Sequence, residues 1–133
     1  MSATFVDTSA FLALLDADDE HHPKVKQAWA GLLQSEVQLV TSNYVLVETF
    51  ALVQSRLGVE AVRVFQEDIV PLLDIRWLDA ASHAAATSAL LAAGRKKLSL
   101  VDCSSFEVMR RGGLKRAFTL DRHFREQGFE SLP

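Results

Sequence analysis

Apolar positions along the chain recur with two periods, near two residues and near 3.6, and the switches between them predict the elements. Thr4-Phe5-Val6 is a short β-like run ending at Asp7, after which Ser9 is placed to cap a helix through Ala10–Leu15. The stretch Asp16-Ala17-Asp18-Asp19-Glu20-His21-His22 is a polar break, and Pro23 suits the first position of the next helix. There Val25, Ala28, Trp29, Leu32 and Leu33 follow i, i+3, i+4, i+7, i+8 spacing, one apolar face of an amphipathic helix. Val37–Val40 reads as a second strand. Ser42 or Asn43 can cap a long helix to about Leu57, which Gly58 stops. A further helix is expected from Glu60 to Ile69, before Pro71. Leu73, Ile75 and Trp77 alternate with polar residues as a third strand. Asp79 caps an alanine-rich helix ending at Gly94, and Ser99 opens another that runs to Arg111 and ends at Gly112-Gly113. Ala117–Leu120 is a fourth strand ending at Asp121, followed by a short helical turn and an extended piece near Phe129.

Strands alternate with helices throughout. That order predicts an α/β fold with three α/β/α layers and a mostly parallel central sheet. The 133 residues suit one domain over 1–133, with no repeat, low-complexity tract or linker. A domain of this length buries roughly two-thirds of its unfolded surface, so it needs no disulfide or zinc staple. The single cysteine, Cys103, excludes an internal disulfide and fits a reducing cytoplasm. No signal peptide is expected ahead of the first strand, and no apolar run approaches the ~20 residues that span a membrane.

Charge adds little by itself. The net charge is −3, yet residues 1–70 carry ten acids against four bases and residues 71–133 seven against ten. The bases form local clusters: Arg95-Lys96-Lys97, Arg110-Arg111, Lys115-Arg116 and Arg122 with Arg125. Each cluster also fits solvated helix ends and loops, and composition alone does not point to RNA.

The acids change the picture. In open α/β sheets ligands bind beyond the carboxyl ends of the strands. Asp7 and Asp121 follow strands; Asp102 lies in the first turn after Ser99; Glu48 lies about one and a half turns into the helix after the second strand. In a parallel sheet these positions share one edge, so four separated carboxylates can converge on one cleft. Glu48 is the only charged residue in Tyr44–Val53, a segment apolar nearly all round and so expected to be buried. A buried carboxylate is costly unless paired, metal-bound or protonated. Each acid taken singly has an ordinary reading: Glu48 an arginine partner or an exposed stripe, Asp7 and Asp102 helix caps, Asp121 a turn residue. If they meet, mutual repulsion raises at least one pKa, and a hard divalent cation relieves it. Oxygen-only ligation suits magnesium or manganese rather than zinc.

Phe5-Val6-Asp7-Thr8-Ser9 at the start, Glu48 in its apolar helix, Leu100-Val101-Asp102 opening another, and Phe118-Thr119-Leu120-Asp121-Arg122-His123-Phe124 near the end resemble PIN-domain proteins. The compact length is similar to the VapC-like toxins of type II toxin–antitoxin systems. The resemblance implies a metal-dependent endoribonuclease cleaving single-stranded or looped RNA, with Mg2+ as cofactor and Mn2+ able to substitute. It assigns metal binding and water activation to Asp7, Glu48, Asp102 and Asp121, and gives Ser9 and Thr119 the role of ordering the site. It implies a homodimer and a cognate antitoxin protein. Trp29, Phe50 and Phe65 are candidates for apolar contact, although the core has room for all three. Cys103-Ser104-Ser105 departs from the family, where small apolar residues are common after the third acid.

Other readings fit less well. The Asp16–His22 cluster has no fixed face and reads as a solvated loop. Cys103 with His123 suggests a thiol hydrolase only weakly, since nothing fixes their geometry, and a buried structural cysteine suits the pattern better. A receiver-like Mg-binding signalling domain wants paired acids soon after the first strand, and a haloacid-dehalogenase phosphatase wants a second aspartate where Ser9 stands. A PIN-like module that binds RNA or protein without cleavage stays open, with the intact acids against it.

Overall fold

The computed structural model describes residues 2–133. Five strands, β1 (Ala3–Val6), β2 (Gln38–Ser42), β3 (Asp74–Arg76), β4 (Arg116–Phe118) and β5 (Glu130–Leu132), form one sheet in the order β3-β2-β1-β4-β5. Every pairing is parallel; Phe5 sits opposite Val40 on one side and Ala117 on the other. The helices flanking it are α1 (Thr8–Leu15), α2 (His22–Gln34), α3 (Asn43–Leu57), α4 (Val59–Val64), α5 (Ala80–Ala93), α6 (Leu100–Arg111) and α7 (His123–Glu126). This is the α/β/α fold expected from the alternation of periods. No helix among the described residues is long and apolar enough to cross a membrane.

The strand order places the site. From central β1 the chain steps outward to β2 and β3, then returns to the other side of β1 for β4 and β5. The order therefore reverses between β1 and β4, and the crevice beyond their carboxyl ends is the position where such sheets bind ligands. Asp7 follows β1, and Thr119-Leu120-Asp121 follows β4. The ends of these strands are rigidly backed. Thr4, Phe5 and Val6 are fully buried, as a central parallel strand covered on both faces requires. Phe118 stacks on Trp29 with ring centroids 6.2 Å apart, and Phe124 meets Phe106 edge-on at 5.0 Å, which anchors α7, the helix that begins at His123.

Several boundaries move for local physical reasons. Asp7, not Ser9, caps α1: its backbone is extended and its carboxylate accepts from Ser9 N–H at 3.4 Å. β4 stops at Phe118 instead of Leu120, because side-chain hydroxyls take the next backbone donors, Leu120 N–H going to Ser9 Oγ and Asp121 N–H to Thr119 Oγ1, each at 2.9 Å. The helix expected to run to Ile69 is α-helical only to Val64. It widens to a π turn over Phe65–Ile69 and tightens to a 3-10 turn over Val70–Leu72. Pro71 explains this, since it brings no N–H and its ring crowds the carbonyl four residues back. Trp77 lies beyond β3 and is 74% exposed. Trp29 and Phe65 belong to the core and Phe50 packs against it, so these aromatics do not form a free contact surface.

Candidate metal centre

Asp7 joins β1 to α1 and is 5% exposed. Its Oδ2 accepts from Ser9 Oγ at 2.8 Å and from Thr119 Oγ1 at 3.0 Å. Each hydroxyl has one proton to give. Leu120 and Asp121 N–H groups already donate to the two hydroxyl oxygens, so both protons are directed to the carboxylate. The 3.2 Å approach of Ser9 Oγ to Thr119 Oγ1 is then a contact between two acceptor sides, held by the backbone. All three donors use Oδ2, which leaves Oδ1 as the oxygen available to chemistry.

Burial pushes the Asp7 carboxyl up from 3.8 to about 6; the Ser9 and Thr119 hydroxyls oppose that rise, and the charges of Asp102 and Asp121 add to it. Those two charges mark the three aspartates as neighbours. Asp102 stands three residues past Ser99 in a reciprocal capping box: Ser99 N–H donates to its Oδ2, and its own N–H donates to Ser99 Oγ, both at 3.0 Å. The cap and the site thus share one side chain. Burial raises the Asp102 carboxyl too, against donation from Ser99, with Asp121 adding repulsion.

Asp121 Oδ1 accepts His123 N–H at 2.9 Å, which turns the chain so that the imidazole falls back over the acids. His123 Nδ1 lies 2.9 Å from Asp121 Oδ1 and 3.9 Å from Asp102 Oδ2. The shorter approach lacks hydrogen-bond alignment, so this shielded nitrogen has proximity to two carboxylates and no true partner among the described residues. One ligand atom from each of Asp102, Asp121 and His123 falls within 4.8 Å of the others. Two carboxylates, an imidazole nitrogen without a hydrogen bond and a third acid at elevated pKa are a donor set that fits a divalent cation.

Glu48 is placed differently from the three aspartates. The structure corrects the expectation that α3 is buried all round: Val45, Leu46, Thr49 and Val53 are buried, while Val47 is 70% exposed and Glu48 half-buried. The helix shows one apolar stripe to the core, tied to α1 by Thr49 Oγ1–H donating to Thr8 Oγ1 at 3.1 Å. Glu48 lines an open cavity of about 320 Å³ with Asn43, Tyr44, Val47 and Val101. Val101 directly precedes Asp102, so Glu48 borders the centre from the α3 side without joining the Asp102–Asp121–His123 group. His123 is the residue that the acid-based reading left out. Its signal is the Asp-x-His spacing after a strand end, where the Asp121 turn brings the ring back.

Cys103 is buried next to Asp102, and burial together with that charge pushes its thiol up, away from nucleophilic use. In the polar break, Asp16 and Asp19 accept from Asp18 and His21 N–H, and His22 Nδ1 meets Ala13 O, so this segment is a set of local turns.

The hydroxyl pair gives a measurable consequence. Thr119→Val removes a donor to Asp7 and the acceptor of Asp121 N–H. Losing a donor to the charged form raises the Asp7 pKa further, so the acid limb of a pH–activity profile is expected to move to higher pH. The variant is expected to lose about 1–3 kcal/mol of stability in denaturant titration, because a buried carboxylate and a backbone donor are left short. An unmoved acid limb would show that Thr119 does not tune Asp7.

The chain matches the PIN domain family over residues 4–130. It is 33% identical over 126 residues to the 23S rRNA-specific endonuclease VapC20 of Mycobacterium tuberculosis, covering 94% of each chain. The crystal structure of that protein, described as a Sarcin-Ricin loop cleaving toxin, superposes with a TM-score of 0.87 at 32% identity, over 98% of this chain and 100% of the other. FitAcB from Neisseria gonorrhoeae gives a TM-score of 0.69 at 19% identity, with 98% and 96% of the two chains covered. DNA-bound VapBC from Salmonella typhimurium gives 0.69 at 17%, with 98% and 97% covered.

Proposed function

The chain belongs to the PIN domain family, and from that premise we propose that it is a divalent-metal-dependent endoribonuclease, the toxin of a VapBC-like toxin–antitoxin pair, acting in the cytoplasm as a single-domain homodimer. The observation that carries the reading is the meeting of Asp7, Asp102 and Asp121 where the strand order reverses.

Asp7, Asp102 and Asp121 would hold the ion in this proposal, magnesium or manganese, with Glu48 bordering them and His123 supplying a nitrogen beside them. When bound, the ion offsets charge on the phosphodiester and makes water easier to ionise. The protein's own share is positioning. Ser9 and Thr119 pin Oδ2 of Asp7, so Oδ1 is presented in one orientation. The Ser99 box fixes Asp102, and the Asp121–His123 turn fixes the remaining donors.

The substrate proposed is single-stranded or looped RNA. The 23S rRNA named for VapC20 is the first candidate, and its Sarcin-Ricin loop the first segment to examine. The restraint proposed is a cognate antitoxin that lays a segment along the cleft. An arginine or lysine placed among the acids would complement them, arginine best because its planar fork meets two carboxylate oxygens.

The test is incubation of the purified chain with ribosomal RNA in magnesium or manganese, followed by mapping of the new ends. One or a few cuts in looped RNA are expected. Retention of RNA without any cleavage in either metal would instead establish a binding module.

A further inference from the structure

Next to the acidic centre, and sharing a wall with it, lies a cavity of about 220 Å³ whose lining includes Thr119 and Asp121 on one side and Lys24, Arg122, Arg125 and His21 around the rest. Two separate pieces of chain supply the bases: the start of α2 gives His21 and Lys24, and the start of α7 gives Arg122 and Arg125. Elsewhere in the chain Arg63, Arg76, Arg95 and Arg111 pair with carboxylates and other bases stand alone; what sets the bases here apart is that they line one cavity beside Asp121. Among the described residues, Lys24, Arg122 and Arg125 have no carboxylate partner, not even Asp121, which lines the same cavity. Arg125 is steadied by a neutral contact, Nε–H donating to Ser131 Oγ at 2.7 Å.

We propose that this cavity is a phosphate subsite of the nuclease, holding a backbone phosphate of the RNA next to the one that is cut, with Lys24, Arg122 and Arg125 as its cationic contacts. The inference rests on the endoribonuclease reading and deepens it. An RNA strand meeting a centre of three aspartates is repelled along its length, and a metal ion offsets this only where it binds. Unpaired cations one wall away supply the missing attraction to the flanking backbone and set the register of the strand over Asp7 and Asp121. The contacts reach phosphate and not base edges, so they contribute affinity and register without sequence choice.

Binding is measured with a short single-stranded RNA and a looped RNA on the Asp7→Asn background, which separates affinity from cutting. Lys24→Gln, Arg122→Gln and Arg125→Gln are made singly and together. The control is Lys115→Gln with Arg56→Gln, two exposed bases at the opposite edge of the sheet. For single strands, log K falls with log salt by about 0.7 per phosphate contact. Each single variant that loses a phosphate contact is therefore expected to flatten the slope by roughly that amount, and the triple variant to bind at least tenfold more weakly at low salt. The control is expected to keep the wild-type slope, and manganese affinity should not weaken in any of the cavity variants, since each removes a positive charge near the acids. A folded triple variant with unchanged salt slope overturns the subsite while leaving the nuclease reading intact. RNA that neither binds to nor is cut by the wild-type chain overturns both.

Discussion

Asp7→Asn is expected to lower RNA cleavage by about 10²–10³-fold while making the metal-free protein more stable near neutral pH. Both effects have one cause. The carboxyl is buried and its pKa lies at about 6 in the folded chain against 3.8 for an ordinary aspartate. Between those values the folded state binds more protons than the unfolded one, so stability falls as pH rises through the interval. Above pH 6 the fold carries an ionised, desolvated group at a cost of roughly 3 kcal/mol. Asparagine keeps the shape and can still accept from Ser9 and Thr119 through its amide oxygen, but it carries no charge. Thermal melts without metal should therefore show Asp7→Asn above the wild type at pH 7 to 8. The gap should close toward pH 4, where Asp7 is protonated in the wild type. Activity falls because the asparagine offers neither a full ligand charge nor a proton acceptor. Undiminished cleavage by this variant would remove Asp7 from the mechanism, and a metal-free wild type as stable as the variant at pH 8 would show that the carboxylate is solvated after all.

The element order and the three aspartates were legible because they rest on strong local signals. Turn and cap residues at Asp79, Gly94, Ser99 and Gly112 bound α5 and α6 as expected. The burial of Thr4–Val6 gives the central strand its apolar run. Asp7 and Asp121 were legible as positions after strands, and the parallel sheet then brings them to one edge. The environment of Glu48 was not. A segment with one charged residue in ten looks buried all round, but α3 exposes Val47 and half-exposes Glu48, and periodicity alone does not show which apolar positions a neighbouring helix covers. His123 was legible only as part of a terminal motif. The Asp-x-His spacing encodes its return onto Asp121, but its place beside Asp102 also depends on a long-range fact, the Phe124 anchor against Phe106 and Phe5. The end of β4 was misplaced for a similar reason: the hydroxyls that take its backbone donors come from Ser9, more than a hundred residues away, and from Thr119 itself.

Removal of divalent metal is expected to abolish cleavage, and the order in which metals restore it should report on His123. Three mutually repelling aspartates must receive a substrate that is itself an anion, and no side chain within the Asp102–Asp121–His123 group brings a permanent positive charge. With a chelator present, cleavage should drop below detection, and added magnesium should return it. Were His123 absent, carboxylate oxygens alone would bind magnesium and manganese with similar modest affinity. An imidazole nitrogen among the ligand atoms favours the later ion in the divalent series. Manganese is therefore expected to restore half-maximal activity at a lower concentration than magnesium, and His123→Asn should narrow that gap more than it lowers activity in saturating magnesium. Protons compete with the ion for Asp7, so the metal concentration needed should climb as pH falls through about 6. Full cleavage in excess chelator would sink the metal mechanism outright. An equal requirement for the two metals, unchanged in His123→Asn, would instead leave the ion on the carboxylates and reduce His123 to a neighbour that helps hold Asp121 in place.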